Sequence, residues 1–297
     1  MNHIKDQIRC GAAYRLGLTG KGIGVAVLDT GIFLHRDFDS RVTGFADMVN
    51  GKTFAYDDCG HGTHICGIIG GSGRMSGGRY SGIAPGCDLV MVKVLDRKGN
   101  GYSSDVLAGI SWILERKEKL GIRILNISVG ACSKRGTSEN SALVKGVNRA
   151  WDAGLVVVVA AGNNGPRTMS ITTPGISRKV ITVGCSDDDR EVLVGGNRMV
   201  DYSGRGPTAA CICKPDLVAP GCSVVSCAGR ADKYTIKSGT SMSTPIVSGA
   251  TALLLERYPD MTNKDVKLKL RESCTDIGLP RNQQGWGLLD VEKLVSK

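Results

Sequence analysis

Val25-Ala26-Val27-Leu28-Asp29-Thr30-Gly31 is an unbroken apolar run that ends in a carboxylate and a glycine turn. A strand without polar alternation is read as buried on both faces, as in a parallel sheet covered by helices. Further apolar runs lie near residues 89–94, 124–128, 156–160 and 180–184. Between them fall helical patterns, at 105–119 with Val106, Ile110 and Ile113 on one face, and at 142–153. This alternation predicts an α/β fold, a three-layer, doubly wound, mostly parallel sheet with helices on both faces. Such sheets carry their sites beyond the carboxyl ends of the strands, which is where Asp29 falls. Thr262 and Asp265 have the spacing of a capping box for a last helix running through Arg271.

Two other segments bear chemistry. Cys59-Gly60-His61-Gly62-Thr63-His64 opens a short apolar stretch at 65–69, so His61 is expected at a helix start. Gly239-Thr240-Ser241-Met242-Ser243-Thr244-Pro245 leads into Ile246, Val247, Ala250, Leu253 and Leu254, the spacing of a buried helical face. Ser241 then sits where free N–H groups and the helix dipole welcome an oxyanion. Read alone, Ser241 is equally well explained as a helix cap. Acyl transfer by serine needs a base for the hydroxyl proton and a buried carboxylate to orient that base. The chain supplies these types in the order Asp, His, Ser. A fourth run, at 155–161, ends in Gly162-Asn163-Asn164-Gly165, where an Asn by itself reads as a turn former.

The segments DTGI from Asp29, HGTH from His61 and GTSMSTP from Gly239 resemble the signature blocks of the subtilisin-like serine proteases, the subtilase family. Chain order separates this resemblance from chymotrypsin-like enzymes and α/β-hydrolases. It implies Asp29 as orienter, His61 as general base and then acid, Ser241 as nucleophile, and Asn163 as side-chain donor to the oxyanion. The implied activity is a serine endopeptidase that forms an acyl-enzyme on peptide or unfolded-protein substrates. Residues 124–130 resemble the family strand beside the primary pocket, here Ser128, Val129 and Gly130. Gly99, Asn100 and Gly101 resemble the opposite edge, so that an extended peptide is held as an added strand. Ala160 and Gly162 are small and apolar, which implies a large uncharged residue before the cleaved bond. The glycine-rich residues 70–80 and 82–86, with Trp151-Asp152-Ala153-Gly154, resemble the AprX-like intracellular branch. Two positions depart from the family pattern: Ser243 where Ala is usual and Gly204 where Ser is common.

Composition bounds the rest. The 297 residues would fit two domains by length, yet the matched blocks run from Asp29 to Ser241 with no linker, so one catalytic domain over 1–297 is expected. The N-terminus lacks the apolar core of a signal peptide, and the residues ahead of Asp29 are too few for a propeptide with its own core. Eleven cysteines, an odd count scattered through apparent strands and helices, point to reduced thiols and a cytoplasmic address. Cys59, His61 and His64 invite a zinc reading, but His3 and His35 are the only other histidines for a four-ligand site, and Cys211 and Cys213 form a lone CxC. No cofactor is required; a structural calcium or sodium ion is left open, although residues 70–80 are too poor in carboxylates to hold calcium well. The net charge of +10 is dispersed among acidic residues, which argues against a nucleic-acid partner, and no apolar stretch is long enough for a membrane span. Gly20, Gly22 and Gly24 precede a strand rather than follow one, so they are no dinucleotide fingerprint. Oligomeric state is left open. The competing readings are a binding module that holds peptides without cutting them and a partner protein that acts through its basic surface.

Overall fold

The computed structural model describes residues 1–130 and 139–296. Two short helices, α1 (Asn2–Gln7) and α2 (Gly11–Arg15), precede β1 (Gly24–Asp29) and β2 (Val42–Asp47). Then come α3 (His61–Gly70), β3 (Asp88–Lys93), α4 (Ser103–Arg116), β4 (Ile122–Ile127), α5 (Ala142–Asp152), β5 (Val156–Ala160) and β6 (Ile181–Cys185). Four short strands, β7 (Val192–Val194), β8 (Asn197–Met199), β9 (Leu217–Ala219) and β10 (Val224–Cys227), lead to β11 (Tyr234–Lys237). The chain closes with α6 (Thr240–Arg257), α7 (Asn263–Ser273), α8 (Arg281–Gln284) and α9 (Val291–Val295).

Seven strands form one sheet in the order β2-β3-β1-β4-β5-β6-β9, and every pairing in it is parallel. The doubly wound α/β fold expected from the alternation is therefore present, with β7–β8 and β10–β11 added as antiparallel hairpins. All six residues of β1 are buried, and β5 and β6 are buried throughout, as unbroken apolar strands require. Helices α3 and α6 pack together, as do α4 and α5. The face Val106, Ile110 and Ile113 of α4 is buried as its spacing predicts. At α7 the capping box is complete, with Thr262 and Asp265 bonded reciprocally.

Helix α6 is buried nearly all round, from Met242 through Leu255, which makes it a central rod rather than an amphipathic surface helix. From β1 the chain passes to β2, returns to β3 between them, then crosses β1 to β4 and winds outward through β5, β6 and β9. The direction of winding reverses at β1 and β4, so the crevice of this sheet opens at their carboxyl ends.

Candidate active site

Asp29 is the last residue of β1 and is fully buried, while His61 begins α3. Two glycines let these segments meet. A Cβ on Gly62 would stand 2.2 Å from the Gly31 carbonyl oxygen, and one on Gly31, whose φ is +122°, would stand 2.1 Å from the Tyr56 carbonyl oxygen. With both α-carbons bare, His61 Nδ1 donates to Asp29 Oδ1 at 2.7 Å and Oδ2 at 2.9 Å. Asp29 Oδ1 also accepts from the Thr30 amide at 2.7 Å. The Nδ1–H···carboxylate bond fixes the tautomer that leaves Nε2 as the basic nitrogen. Among the described residues no hydrogen-bond partner faces Nε2, and the imidazole side chain is 22% exposed.

The proton affinity of His61 is set by opposing causes. Burial lowers it, while the Asp29 charge and hydrogen bond raise it; Lys237 lowers it and Asp57 raises it. The net effect holds the imidazole above its ordinary 6.5. A base raised in this way is more strongly basic than free imidazole.

Ser241 lies in the first turn of α6, whose N-cap is Gly239 with no side-chain cap bond, so the serine does not serve as a cap. Its hydroxyl donates to the Ser128 carbonyl oxygen at 2.7 Å, just past the end of β4. The structure thus joins Asp29 to His61 and sets Ser241 on Ser128 rather than on His61. Unliganded sites often hold such contacts longer than the substrate complex does.

Asn163 approaches the same helix start from the end of β5. Its Oδ1 accepts from the Thr240 amide and from Thr240 Oγ1, both at 3.0 Å. Those two donors identify the oxygen end of the amide, and they leave Nδ2 beside the backbone of Gly239. A Cβ on Gly239 would lie 3.3 Å from Nδ2.

Five of the expected binding residues, Gly99, Asn100, Gly101, Val129 and Gly130, line one cavity of about 220 Å³. Ser128 is buried behind it with its carbonyl on Ser241. Ala160 is buried within β5, and neither it nor Gly162 lines that cavity. Thr172 packs against two glycines instead: a Cβ on Gly130 would stand 2.3 Å from its Oγ1, and one on Gly162 would stand 2.4 Å from its Cγ2.

Several residues that hold this geometry escaped sequence reasoning. Asp57 takes bonds from Thr30 Oγ1, the Cys59, Gly60 and Thr63 amides and Thr63 Oγ1, and so ties the β1 turn to the start of α3. Lys93, wholly buried, donates to the carbonyls of Thr30 and Leu95 and to Asp58 Oδ1 at 2.6–2.8 Å. Asp57, placed four residues ahead of His61, was the one available signal, because an Asp before a helix commonly binds its first amides.

The remaining polar clusters are engaged structurally. His64, the zinc candidate beside His61, turns its Nε2 to the carbonyls of Val224 and Thr235, and burial depresses it to about 3. Ser243 Oγ is buried without a partner. Ten cysteines are free thiols, and Cys132 lies outside the described residues.

A doubly wound sheet with Asp, His and Ser gathered in this chain order at the carboxyl ends of its central strands defines the subtilisin-like class of α/β proteins. The chain belongs to the subtilase family, whose profile matches residues 20–287. It is 42% identical over 292 residues to serine protease AprX of Bacillus subtilis (strain 168), covering 93% of this chain and 65% of that protein. Subtilisin BL of Lederbergia lenta is 35% identical over 287 residues, 97% of this chain and 96% of that one. Among solved structures, sphericase matches with a TM-score of 0.79 at 31% identity, over 92% of this chain and 93% of its own. A cold-adapted subtilisin-like serine proteinase matches with a TM-score of 0.75 at 29% identity, over 92% and 90%.

Proposed function

We propose that this chain is a serine endopeptidase that works through Asp29, His61 and Ser241. The observation that carries the reading is the Asp29–His61 pair, whose only unspent nitrogen lies at the crevice where α6 presents Ser241. In this mechanism Ser241 Oγ leaves Ser128 O and attacks the scissile carbonyl as His61 Nε2 takes its proton. Asp29, already bonded to Nδ1, stabilises the imidazolium that forms. Negative charge then grows on the substrate oxygen beside the first turn of α6. Asn163 supports a donor role there, since its Oδ1 is held by Thr240 and its Nδ2 is left for the oxyanion. The imidazolium next protonates the leaving amine, and a water molecule repeats the sequence to release the acyl group.

The cavity beside Val129 and Gly130 has Leu95, Val106, Ile127 and Leu143 in its walls and, among the described residues, no charged side chain. That lining supports large uncharged residues ahead of the cleaved bond. Thr173 and Pro174 complete its neutral lining. Free thiols throughout the described residues support work in a reducing, cytoplasmic setting.

The test is to treat the protein with a fluorophosphonate probe and to follow casein cleavage beside Ser241→Ala. Labelling and cleavage that vanish together in the variant are expected. A wild type that neither labels nor cleaves at mildly alkaline pH would refute the reading. Peptide-library profiling addresses the acyl side, where a sharp preference for Lys or Arg would overturn the neutral pocket.

A further inference from the structure

A second cavity, of about 690 Å³, opens on the His61 side of the crevice. One wall is residues 57–60, directly ahead of His61, and the other is the β10–β11 hairpin with its connecting turn. It shares no lining residue with the cavity beside Val129 and Gly130. Lys237 closes it at the end of β11, four positions before Ser241, near enough for its charge to act on His61. Because His61 hands its proton to the leaving amine, the half of the substrate that departs passes this wall, whereas the acyl half lies with 99–101 and 128–130.

The charge in this cavity is unbalanced. Arg230, Lys233 and Lys237 line it, and among the described residues none of their side chains has an ion-pair or hydrogen-bond partner. Its acids are already committed. Asp58 Oδ1 is paired with buried Lys93 at 2.7 Å, and Asp57 is spent on the five donors that hold the β1 turn to α3. In the turn of the hairpin, Asp232 is paired with Arg36 at 3.0 Å. Of the two lining acids only Asp57 has no cation paired with it, and its oxygens are held by backbone and hydroxyl donors, against three unpaired cations on a chain whose overall charge is +10. A walled concavity with charge of one sign focuses its field and gathers ligands of the other. At this size it holds roughly two or three residues of an extended peptide.

We propose that this cavity selects acidic side chains, Asp or Glu, within the first three residues after the cleaved bond. The proposal rests on the endopeptidase reading and adds to it a substrate class: segments whose uncharged residues are followed at once by carboxylates. Lys237 is the residue nearest the chemistry and Arg230 and Lys233 extend the same field outward. An acidic residue bound there also compensates the cation that opposes protonation of His61, so the preference is expressed in the step that uses the imidazolium as well as in binding.

The experiment uses internally quenched peptides, amidated at the C-terminus so that only side-chain carboxylates differ. They carry Glu, Gln or Lys in turn at each of the three positions after the cleaved bond. The wild type is expected to favour Glu over Gln by about fivefold in kcat/KM at one or more of them, the size of an exposed charge pair, with Lys below Gln. The preference should shrink at about 1 M salt, where the screening length falls to about 3 Å. It should reverse in Lys237→Glu and weaken in Arg230→Glu, a residue remote from the chemistry. Fluorophosphonate labelling, which needs no leaving peptide, reports whether each variant is intact. Glu and Gln within twofold at all three positions, or a preference unchanged in Arg230→Glu and Lys237→Glu variants that still label, would overturn the proposal. A wild type that labels and cuts every peptide equally refutes the preference alone, whereas one that neither labels nor cuts refutes the endopeptidase reading and the preference with it.

Discussion

Two acid–base pairs stand at opposite ends of this sheet's strands. Asp29 and His61 meet at the carboxyl end of β1. Lys214 and Asp216 meet at 2.5 Å beside the amino ends of β6 and β9. The second pair is more fully engaged: Lys214 Nζ also donates to the Val180 carbonyl and Thr182 Oγ1, Asp216 Oδ2 accepts from the Thr182 amide, and Lys267 Nζ stands 3.6 Å from Asp216 Oδ1. Burial there outweighs the partner's charge and pulls Lys214 down to about 8, whereas at His61 the carboxylate wins and the imidazole is raised. The Asp29–His61 pair keeps one nitrogen free and one edge open to solvent. A cation with every donor spent is a strut, and a base with one nitrogen unspent is suited to be a reagent.

If that distinction is right, removing one partner should have opposite consequences at the two ends. Asp29→Asn changes the preferred tautomer of His61 without changing its shape, and kcat should drop roughly 10,000-fold, the loss such a change causes in serine proteases, with little change in melting temperature. A loss of only tenfold would mean that Asp29 is not the group that orients His61. Asp216→Ala strands the Lys214 cation in the interior, which should cost about 3–5 kcal/mol in denaturant unfolding. Its folded fraction should keep kcat/KM within about twofold. A variant that stayed stable and lost activity would put the working site at the wrong end.

Asn163 combines both behaviours in one side chain, since Oδ1 is committed to Thr240 and Nδ2 is not. Asn163→Ala should lower kcat by about 100- to 1000-fold, as loss of one oxyanion donor does in this class of enzyme, and leave KM nearly unchanged. Orphaning the Thr240 amide should add a smaller stability loss, about 1 kcal/mol. Near-normal turnover would assign Asn163 wholly to structure.

These contrasts also explain what could be read from the chain. The central strands were legible because burial on both faces demands unbroken Val, Ile and Leu, and Asp29 was legible because it interrupts such a run at its end. β2 was not, since as an edge strand it is only half-buried and carries Thr43 and Gly44. β9 has three residues, too few for any periodicity, and β10–β11 mixes Ser226, Thr235 and Lys237 into short strands. For the proposed site, the motifs offered Asp29, His61, Asn163 and Ser241, because each has a distinctive side chain in a glycine-bounded turn; of these the structure bonds Asp29 to His61 and sets Ser241 on Ser128. Lys93 and Thr172 act on backbone atoms and glycines brought in from distant loops, and no local pattern announces such partners.

The smallest effect concerns Lys237, and it probes how the open edge is tuned. The groups that act on His61 are Asp29 from β1 and Asp57 from the turn before α3, which raise its proton affinity, and burial and Lys237 from β11, which lower it. With the folded value above 6.5, any stability drawn from the protonated pair is fully present below 6.5 and is lost as pH rises through the folded value. In the proposed mechanism activity runs the other way, because only neutral His61 can accept the serine proton. The acid limb of kcat/KM, which reports the free enzyme, should therefore fall above 6.5. Lys237→Gln removes the opposing cation, so the limb should move to higher pH and the protonated pair should persist further into the neutral range. Measured on a neutral peptide, a limb that stayed in place or moved down would mean that Lys237 is too well solvated to reach His61, and the cationic wall would then act on substrate alone.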